Sequence, residues 1–385
     1  MYGRNNYHAR VRFHDGSRSW LLRVPRIHNV SSLVNYLVVS EYATLKFLEK
    51  TKVPAPRAFG FGISGRDDSG MEDHGVGVAF LLIEELPGKP WLYGGTPAND
   101  EKTRYEKAKI WDQLAGILAE LARHPSPRAG SLCLNDSARI QVGPVASDKF
   151  MVLTPEGPFD NAVGYYTAWA EQYLALIADR QLYEDYPVEA YMVYRFLKDN
   201  VWQLVEHLKG DEDLDRGGFF LKHVDDLGDH ILLDDDCNIV GLIDWQMARV
   251  VPRAEAFGPS LVAVDTRAFF SGRVGLGVDD HGLVAALEKK GHADLARWMG
   301  DENERARRFF WGLGLNEPWP QALPMANAIL QAFGVQQDWA EWSETALKAY
   351  CRTDRRLQAL LRACPPRRVQ PLRRCKQSRY KPYRV

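Results

Sequence analysis

The stretch LKHVDDLGDHILLDDDCNIVGLIDW, residues 221–245, constrains the fold of this chain more than any other segment. It holds seven aspartates and two histidines, yet sets them around short runs of Ile, Leu and Val. A solvated loop accounts for the charge but not for the apolar runs, and a core strand accounts for the runs but not for the charge. A β-hairpin accounts for both, because its strands enter a core while its two ends stay polar. Residues 231–233 and 239–243 supply the strands, and residues 234–238 have the composition of a turn. A hairpin centred on Cys237 sets His230 opposite Asp244 at the open end, with Cβ atoms about 5 Å apart. Asp225 lies just upstream, in the loop that enters the first strand. Asp234, Asp235 and Asp236 fall at the far end, as solvated turn residues. Two carboxylates and an imidazole meeting at one strand end suit a divalent cation and a proton-accepting base. Phosphoryl transfer uses that arrangement, one acid holding metal on the phosphates and another orienting the acceptor hydroxyl. The plainer alternative is a polar hairpin that merely caps a domain.

The 385 residues are enough for two lobes with a substantial core. Residues 7–13 and 19–24 read as strands around the turn signal His14-Asp15-Gly16. Residues 31–50 switch to helical spacing, with Val34, Leu37, Val38, Tyr42, Leu45 and Leu48 along one side. Pro54 and Pro56 then force extended backbone. A Gly/Asp-rich loop over 65–75 leads to a strand over 76–86, ended by Leu86-Pro87-Gly88. The result is a small strand–strand–helix–strand–strand unit. From Lys89 the pattern is mainly helical, over 106–124, 162–180, 188–208 and again from about 281. Residues 365–385 carry eight Lys/Arg, four prolines and no acid, the composition of a disordered basic tail.

The net charge of −1 gives no general attraction to nucleic acid or to a membrane, and a nucleic-acid partner is disfavoured. Five scattered cysteines without a CxxC pair argue against a disulfide framework or a structural zinc site. The polar start is unlike a signal peptide, and the apolar runs are too short to span a bilayer. Together these point to a soluble, cytoplasmic protein.

His223-Val224-Asp225, with His230 five residues beyond the Asp and then Ile243-Asp244-Trp245, resembles the HxDxxxxN…IDW signature of aminoglycoside phosphotransferase-like (APH/choline kinase-type) small-molecule kinases. The form with KHVDD and GDHILLDDD is most similar to the fungal branch. The resemblance implies an α+β, bilobal, protein-kinase-like fold. Its small antiparallel-sheet N-lobe would be residues 1–86 and its larger, mostly helical C-lobe residues 87–364, with 365–385 as the tail. It implies ATP or GTP with Mg²⁺, and a small-molecule acceptor. In that family pattern Asp225 is the catalytic base and His223 braces its loop. Asp244 binds Mg²⁺, and His230 stands where the family has a metal-binding Asn. Arg23, in the strand WLLRVP, holds the phosphates, and Glu41 is its ion-pair partner. The backbone of Glu84, Glu85 and Leu86, in FLLIEELPG, receives adenine. Arg26 is the rival of Arg23, and Asp226 is the rival of Asp225.

Two departures stand out. Imidazole is a poor ligand for Mg²⁺, which prefers hard oxygens, so either the metal site is altered, or Asp229 supplies an oxygen, or His230 only hydrogen-bonds. The family's first strand and nucleotide loop should also precede Tyr7, where only MYGRNN stands and Gly3 is the possible remnant. Both departures leave a second reading, a catalytically impaired pseudokinase-like binding protein. A metal-dependent phosphoester hydrolase built on His223, Asp225, His230 and Asp244 leaves the first lobe without a purpose. Residues 155–200, where the family keeps its acceptor helices, hold eight acids against three bases, with Tyr165, Tyr166, Trp169, Tyr173 and Tyr194 among them. That suits an organic amine as acceptor, through charge pairing and cation–π contact. Aromatic residues at helical spacing are more often core packing, and that reading is favoured here.

Overall fold

A computed structural model describes residues 6–13, 19–26, 31–65, 76–91, 101–147, 155–205, 218–225, 228–300, 304–314 and 317–364. Gly3, the turn at 14–16, most of the loop at 65–75, Asp226 and the tail at 365–385 lie outside them.

Strands β1 (Asn6–Arg12), β2 (Ser19–Pro25), β3 (Ala58–Gly62) and β4 (Phe80–Glu84) form one antiparallel sheet in the order β1-β2-β4-β3. Its period of two is plain in β4, where Leu81 and Ile83 are buried and Phe80, Leu82 and Glu84 are less so. Helix α1 (Ser31–Leu48) packs on this sheet. Its buried side runs through Val34, Leu37, Val38, Leu45 and Leu48, spaced three or four residues apart. Glu41 falls on that same side, four residues from both Leu37 and Leu45, and is 5% exposed. An acid held there needs a partner. α1 also reaches the following part of the chain, where the Tyr36 hydroxyl donates to the Pro144 carbonyl at 2.6 Å.

The short strand β5 (Lys89–Pro90) leaves the first sheet and pairs with a strand of the hairpin instead. Beyond it come α2 (Glu101–Ala122), a hairpin of β6 (Ser131–Leu134) and β7 (Ile140–Gly143), α3 (Ala162–Ala178) and α4 (Pro187–Asp199). Then follow β8 (Phe219–Lys222), β9 (Ile231–Leu233), β10 (Ile239–Leu242) and β11 (Arg249–Pro252). The later helices used below are α5 (Arg253–Ala256), α6 (Thr266–Phe270), α7 (Val278–Lys289), α8 (Ala293–Trp298) and α9 (Glu304–Trp311). The arrangement is α+β, with small antiparallel sheets and many helices. The helix expected over 188–208 stops at Asp199 and continues as a 3-10 turn, Val201–Leu204.

The central hairpin forms as β9 and β10, tied at its tip by Asp234. Its carboxylate accepts the amides of Asp236 at 3.0 Å and Asn238 at 2.8 Å. Cys237 there has a φ of 59°, in the left-handed region. The register departs from the expected one. The turn closes on Asp236 rather than on Cys237, with Ile239 opposite Leu233, and an irregularity at Val240 then recovers one residue, so that Gly241 pairs with Leu232 and Leu242 with Ile231. His230 therefore lies opposite Ile243, whose amide donates to its carbonyl at 3.0 Å, rather than opposite Asp244.

Two strand pairs were not foreseen, β6–β7 and β8–β11. Their four-residue runs are too short for periodicity to separate strand from helix. They are joined at Gly130, which exchanges backbone hydrogen bonds with Val250 at 2.9 and 2.6 Å. Gly130 has a φ of 152°, and a Cβ there would lie 2.1 Å from the Gly143 carbonyl oxygen. Gly130→Ala should therefore destabilise the protein by about 3 kcal/mol, read as a lower urea midpoint with an unchanged slope. A midpoint within experimental error of the wild type would show that β6 and β7 separate freely.

Candidate active site

The hairpin's open end is where the polar residues gather. After Leu242 the chain leaves β10, and Asp244 adopts a φ of 62°, which an L residue other than Gly takes up at a cost. Trp245 behind it is 1% exposed, and its indole donates to the Leu242 carbonyl at 2.9 Å, fixing the bend. The bend returns the Asp244 carboxylate toward His230 in spite of the shifted register, with Asp244 Oδ2 3.6 Å from His230 Nε2. On the other side of the imidazole, His230 Nδ1 lies 2.8 Å from the Asp225 carbonyl oxygen and 3.9 Å from its Oδ2. Asp229 Oδ1 is also 3.9 Å from Nδ1. One imidazole thus stands between Asp225 and Asp244. His223 is buried, bonds the Ile243 carbonyl at 2.8 Å through Nε2, and packs edge-on against Trp245 at 4.8 Å. That is a bracing position.

β2 and α1 deliver the second half of the site. The buried Arg23 guanidinium makes ion pairs with Glu41 from α1 and with Asp244 Oδ1 from the hairpin. It also donates to Gln246 Oε1 at 2.8 Å, which in turn accepts from Asn6 Nδ2 at 3.1 Å. Arg26, the rival, lies instead over the Tyr7 ring at 4.3 Å. Gln246 was not anticipated. Its only signal is its place two residues after Asp244, which a bend brings back to the same cation.

The fields at these groups differ in sign. Partial burial raises the half-exposed Asp225 carboxyl above its ordinary value, against the pull of His230 and His223. Burial would raise Asp244 as well, but the charge and hydrogen bond of Arg23 outweigh it and hold that carboxyl below its ordinary value. Burial lifts Glu41 from 4.5 to about 7, with Arg23 offsetting part of the rise and Asp244 adding to it. Two neighbouring acids are thereby pushed apart, Asp225 toward proton uptake and Asp244 toward permanent charge.

The Glu84 amide donates to the Arg57 carbonyl at 2.9 Å, and the Glu85 amide to the Ser19 carbonyl at 3.4 Å. The Glu85 carboxylate pairs with Arg10, whose hydrogen bond holds it below its ordinary value. Leu86, where the strand exits, packs over Gly241 of β10. Of the three expected adenine contacts, the first two thus have their amides engaged in the sheet.

Beside the loop that carries His223 and Asp225 is a cavity of about 410 Å³, lined among others by Val224, Met247, Tyr183, Lys222, Glu255 and Glu317. The aromatic residues of α3 and α4 are buried and pack on one another, Tyr173 stacking on Tyr194 at 4.2 Å. The face of Trp169 carries the guanidinium of Arg249, 4.4 Å from the ring centroid, and Arg249 in turn pairs with Glu255 of α5 at 3.2 Å. β11 and α5, missed in the sequence, therefore supply one ion pair of the cavity wall, beside Lys222, Arg307 and Glu317.

Among the described residues no group of three or more His, Cys, Asp or Glu side chains is placed to hold a metal ion alone. Asp244 offers the hard oxygen that Mg²⁺ requires, and a cation there would take most of its other ligands from phosphate and water. The imidazole of His230 does not fit Mg²⁺. Among the described residues no helix is long and apolar enough to cross a membrane.

A family model described as phosphotransferase enzyme family (APH) matches residues 3–297. No curated protein matches the chain. Among solved structures it is similar to an ethanolamine kinase of Plasmodium vivax, at 12% identity over 91% of this chain and 80% of that one, with a TM-score of 0.46. It is similar to a macrolide 2'-phosphotransferase type I at 16% identity, covering 86% and 87%, with a TM-score of 0.36. It is also similar to an amicoumacin kinase in complex with AMP-PNP and Ca²⁺, at 12% identity, covering 95% and 88%, with a TM-score of 0.40.

The raised Glu41 carboxyl sets a pH dependence. The folded protein keeps a proton at Glu41 that the unfolded chain releases near 4.5, so this group's contribution to stability is complete below that pH. It is lost as the pH rises through about 7. Taking Tm between about pH 5 and pH 8, the wild type should lose ground steadily to Glu41→Gln, whose amide does not titrate. A constant gap between the two curves would place that proton elsewhere.

Proposed function

The chain belongs to the phosphotransferase enzyme family (APH), and on that premise we propose that it transfers the terminal phosphoryl group of ATP or GTP to a hydroxyl of a small molecule. The observation that carries this reading is the shared environment of three acids from separate elements. Asp225 and Asp244 flank one imidazole, and Asp244 and Glu41 flank one buried arginine.

Asp225 is the base. Its loop sits beside the cavity, where an acceptor hydroxyl can be oriented, and its raised carboxyl takes up the hydroxyl proton as the new P–O bond forms and the bond to the departing nucleoside diphosphate breaks. His223 holds the loop by its bond to the Ile243 carbonyl, so that Asp225 and Asp244 keep one relative position. Arg23 places positive charge where the nucleotide's phosphates would lie, and Glu41 and Gln246 fix its orientation. Asp244 is the ligand for a divalent cation, whose contribution when bound is to neutralise phosphate charge. The strand around Leu86 is the place for adenine.

The cavity is the place for the acceptor. Glu255 and Glu317 would favour an organic amine, while Lys222, Arg249 and Arg307 oppose one, and Arg249 already covers the Trp169 ring. A hydroxylated small molecule fits this lining, and whether it bears an amine is decided by an acceptor screen that pairs amino alcohols with neutral sugars of similar size. The pseudokinase reading draws on His230 and separates from this one at turnover.

Nucleotide with a divalent cation should raise Tm in the wild type, and Asp244→Ala should abolish the rise. Asp225→Asn should still bind nucleotide but lose about 10²–10⁴-fold in phosphoryl transfer. Nucleotide binding without turnover on any acceptor would leave a binding protein. No stabilisation by either nucleotide would overturn the kinase reading.

A further inference from the structure

His230 is the one site residue whose chemistry does not suit the ion that the rest of the site implies, and its geometry shows what it suits instead. Its Nδ1 lies 2.8 Å from the Asp225 carbonyl oxygen. A carbonyl oxygen can only accept, so Nδ1 carries the hydrogen, and the lone pair of the neutral ring is on Nε2. A ring N–H given to a backbone carbonyl is how metal-bound histidines are held in tautomer and orientation. Nε2 faces Asp244 Oδ2 at 3.6 Å, too far for a hydrogen bond. Two donors each about 2.1 Å from one cation lie about 3.0 Å apart across a right angle and about 3.4 Å apart across a tetrahedral one. The observed gap is therefore close to that of two ligands sharing an ion.

The two oxygens of Asp244 are also divided between tasks. Oδ1 pairs with Arg23, and Oδ2 is turned to the imidazole. The ring is not free to swing, since it is largely buried beside His223, with ring centroids 5.6 Å apart, and His223 is itself bonded to Ile243 and packed on Trp245.

We propose that His230 Nε2 and Asp244 Oδ2 form a nitrogen–oxygen ligand pair that selects Mn²⁺, or a borderline cation such as Co²⁺, over Mg²⁺. Imidazole binds such ions well and Mg²⁺ poorly. The remaining ligands come from water or from phosphate oxygens. The proposal rests on the phosphotransfer reading only for those phosphates, because the protein ligands are set without nucleotide. The competing arrangement is a doubly protonated His230 that pairs with Asp244 as an ion pair, which would show no preference among cations.

The test is titration of Mn²⁺ into the full chain, followed by the free-ion electron paramagnetic resonance signal, with Mg²⁺ as competitor, with and without a non-hydrolysable ATP analogue. Pulsed measurements on bound Mn²⁺ should show ¹⁴N coupling from a coordinated imidazole, absent in His230→Asn. That variant should weaken Mn²⁺ binding by about tenfold and change Mg²⁺ binding by less than about threefold. Asp229→Asn should keep both the affinity and the ¹⁴N signature, and circular dichroism checks that each variant is folded. An unchanged Mn²⁺/Mg²⁺ preference in His230→Asn, no ¹⁴N coupling in the wild type, or loss of Mn²⁺ in Asp229→Asn alone would each overturn the proposal. Nucleotide binding together with bound Mn²⁺ that shows no ¹⁴N coupling would sink it and leave the kinase reading standing. Imidazole-bound Mn²⁺ without nucleotide binding would do the reverse.

Discussion

The site depends on one buried cation. Arg23 sits on β2 almost out of solvent, and a guanidinium there survives only if its charge and its donors are met. It is met by Glu41 from α1, by Asp244 from the exit of β10, and by Gln246 after the bend. These partners lie far apart in sequence, so the arginine fixes the first sheet and its helix against the central hairpin. Removing either carboxylate leaves a buried charge short of a partner, so none of the three is independent of the others.

That dependence explains features with no reason of their own. Glu41 interrupts the apolar side of α1 because β2 presents a cation to that point. Asp244 stands one residue beyond the position opposite His230, and its left-handed backbone goes with a carboxylate that meets Arg23 through one oxygen and faces His230 with the other. Trp245, buried against His223 and bonded to the chain before the bend, holds that conformation in place. Packing, strain and charge therefore converge on a single residue.

The hairpin and its polar end were legible in the sequence because apolar runs and charge cannot share a segment any other way. Helix α1 and the strands around it were legible for the same reason, as was the position of Glu41. The register was not, since neither the residue on which a polar turn closes nor an irregularity such as that at Val240 has a signature in alternation, and a one-residue slip reverses the facing of a strand. Gln246 and the β11–α5 wall were not either. Gln246 is drawn in by a bend rather than by a pattern, and Arg249-Val250-Val251-Pro252 is too short to read as a strand. The aromatic residues of α3 and α4 could be seen to form a buried face, but not that a cation from β11 would lie on it.

That second buried arginine bears on what the protein can bind. Arg249 covers Trp169 and is paired with Glu255, whose backbone carbonyl also accepts from Lys222 at 2.9 Å. The buried Glu255 carboxyl, which burial raises above its ordinary range, and the face of Trp169 are thereby already partnered by Arg249 from within. A ligand cation would have to displace Arg249 or compete with it, and both are costly in a partly desolvated site. The lining sets three cations, Lys222, Arg249 and Arg307, against two acids, Glu255 and Glu317, so no net negative charge draws a ligand cation, and discrimination falls to shape and to hydrogen bonds with hydroxyl groups. Such a wall holds a ligand through shape and hydroxyl contacts rather than through charge, and the loop that lines it at Val224 carries the Asp225 carboxyl with its proton affinity raised.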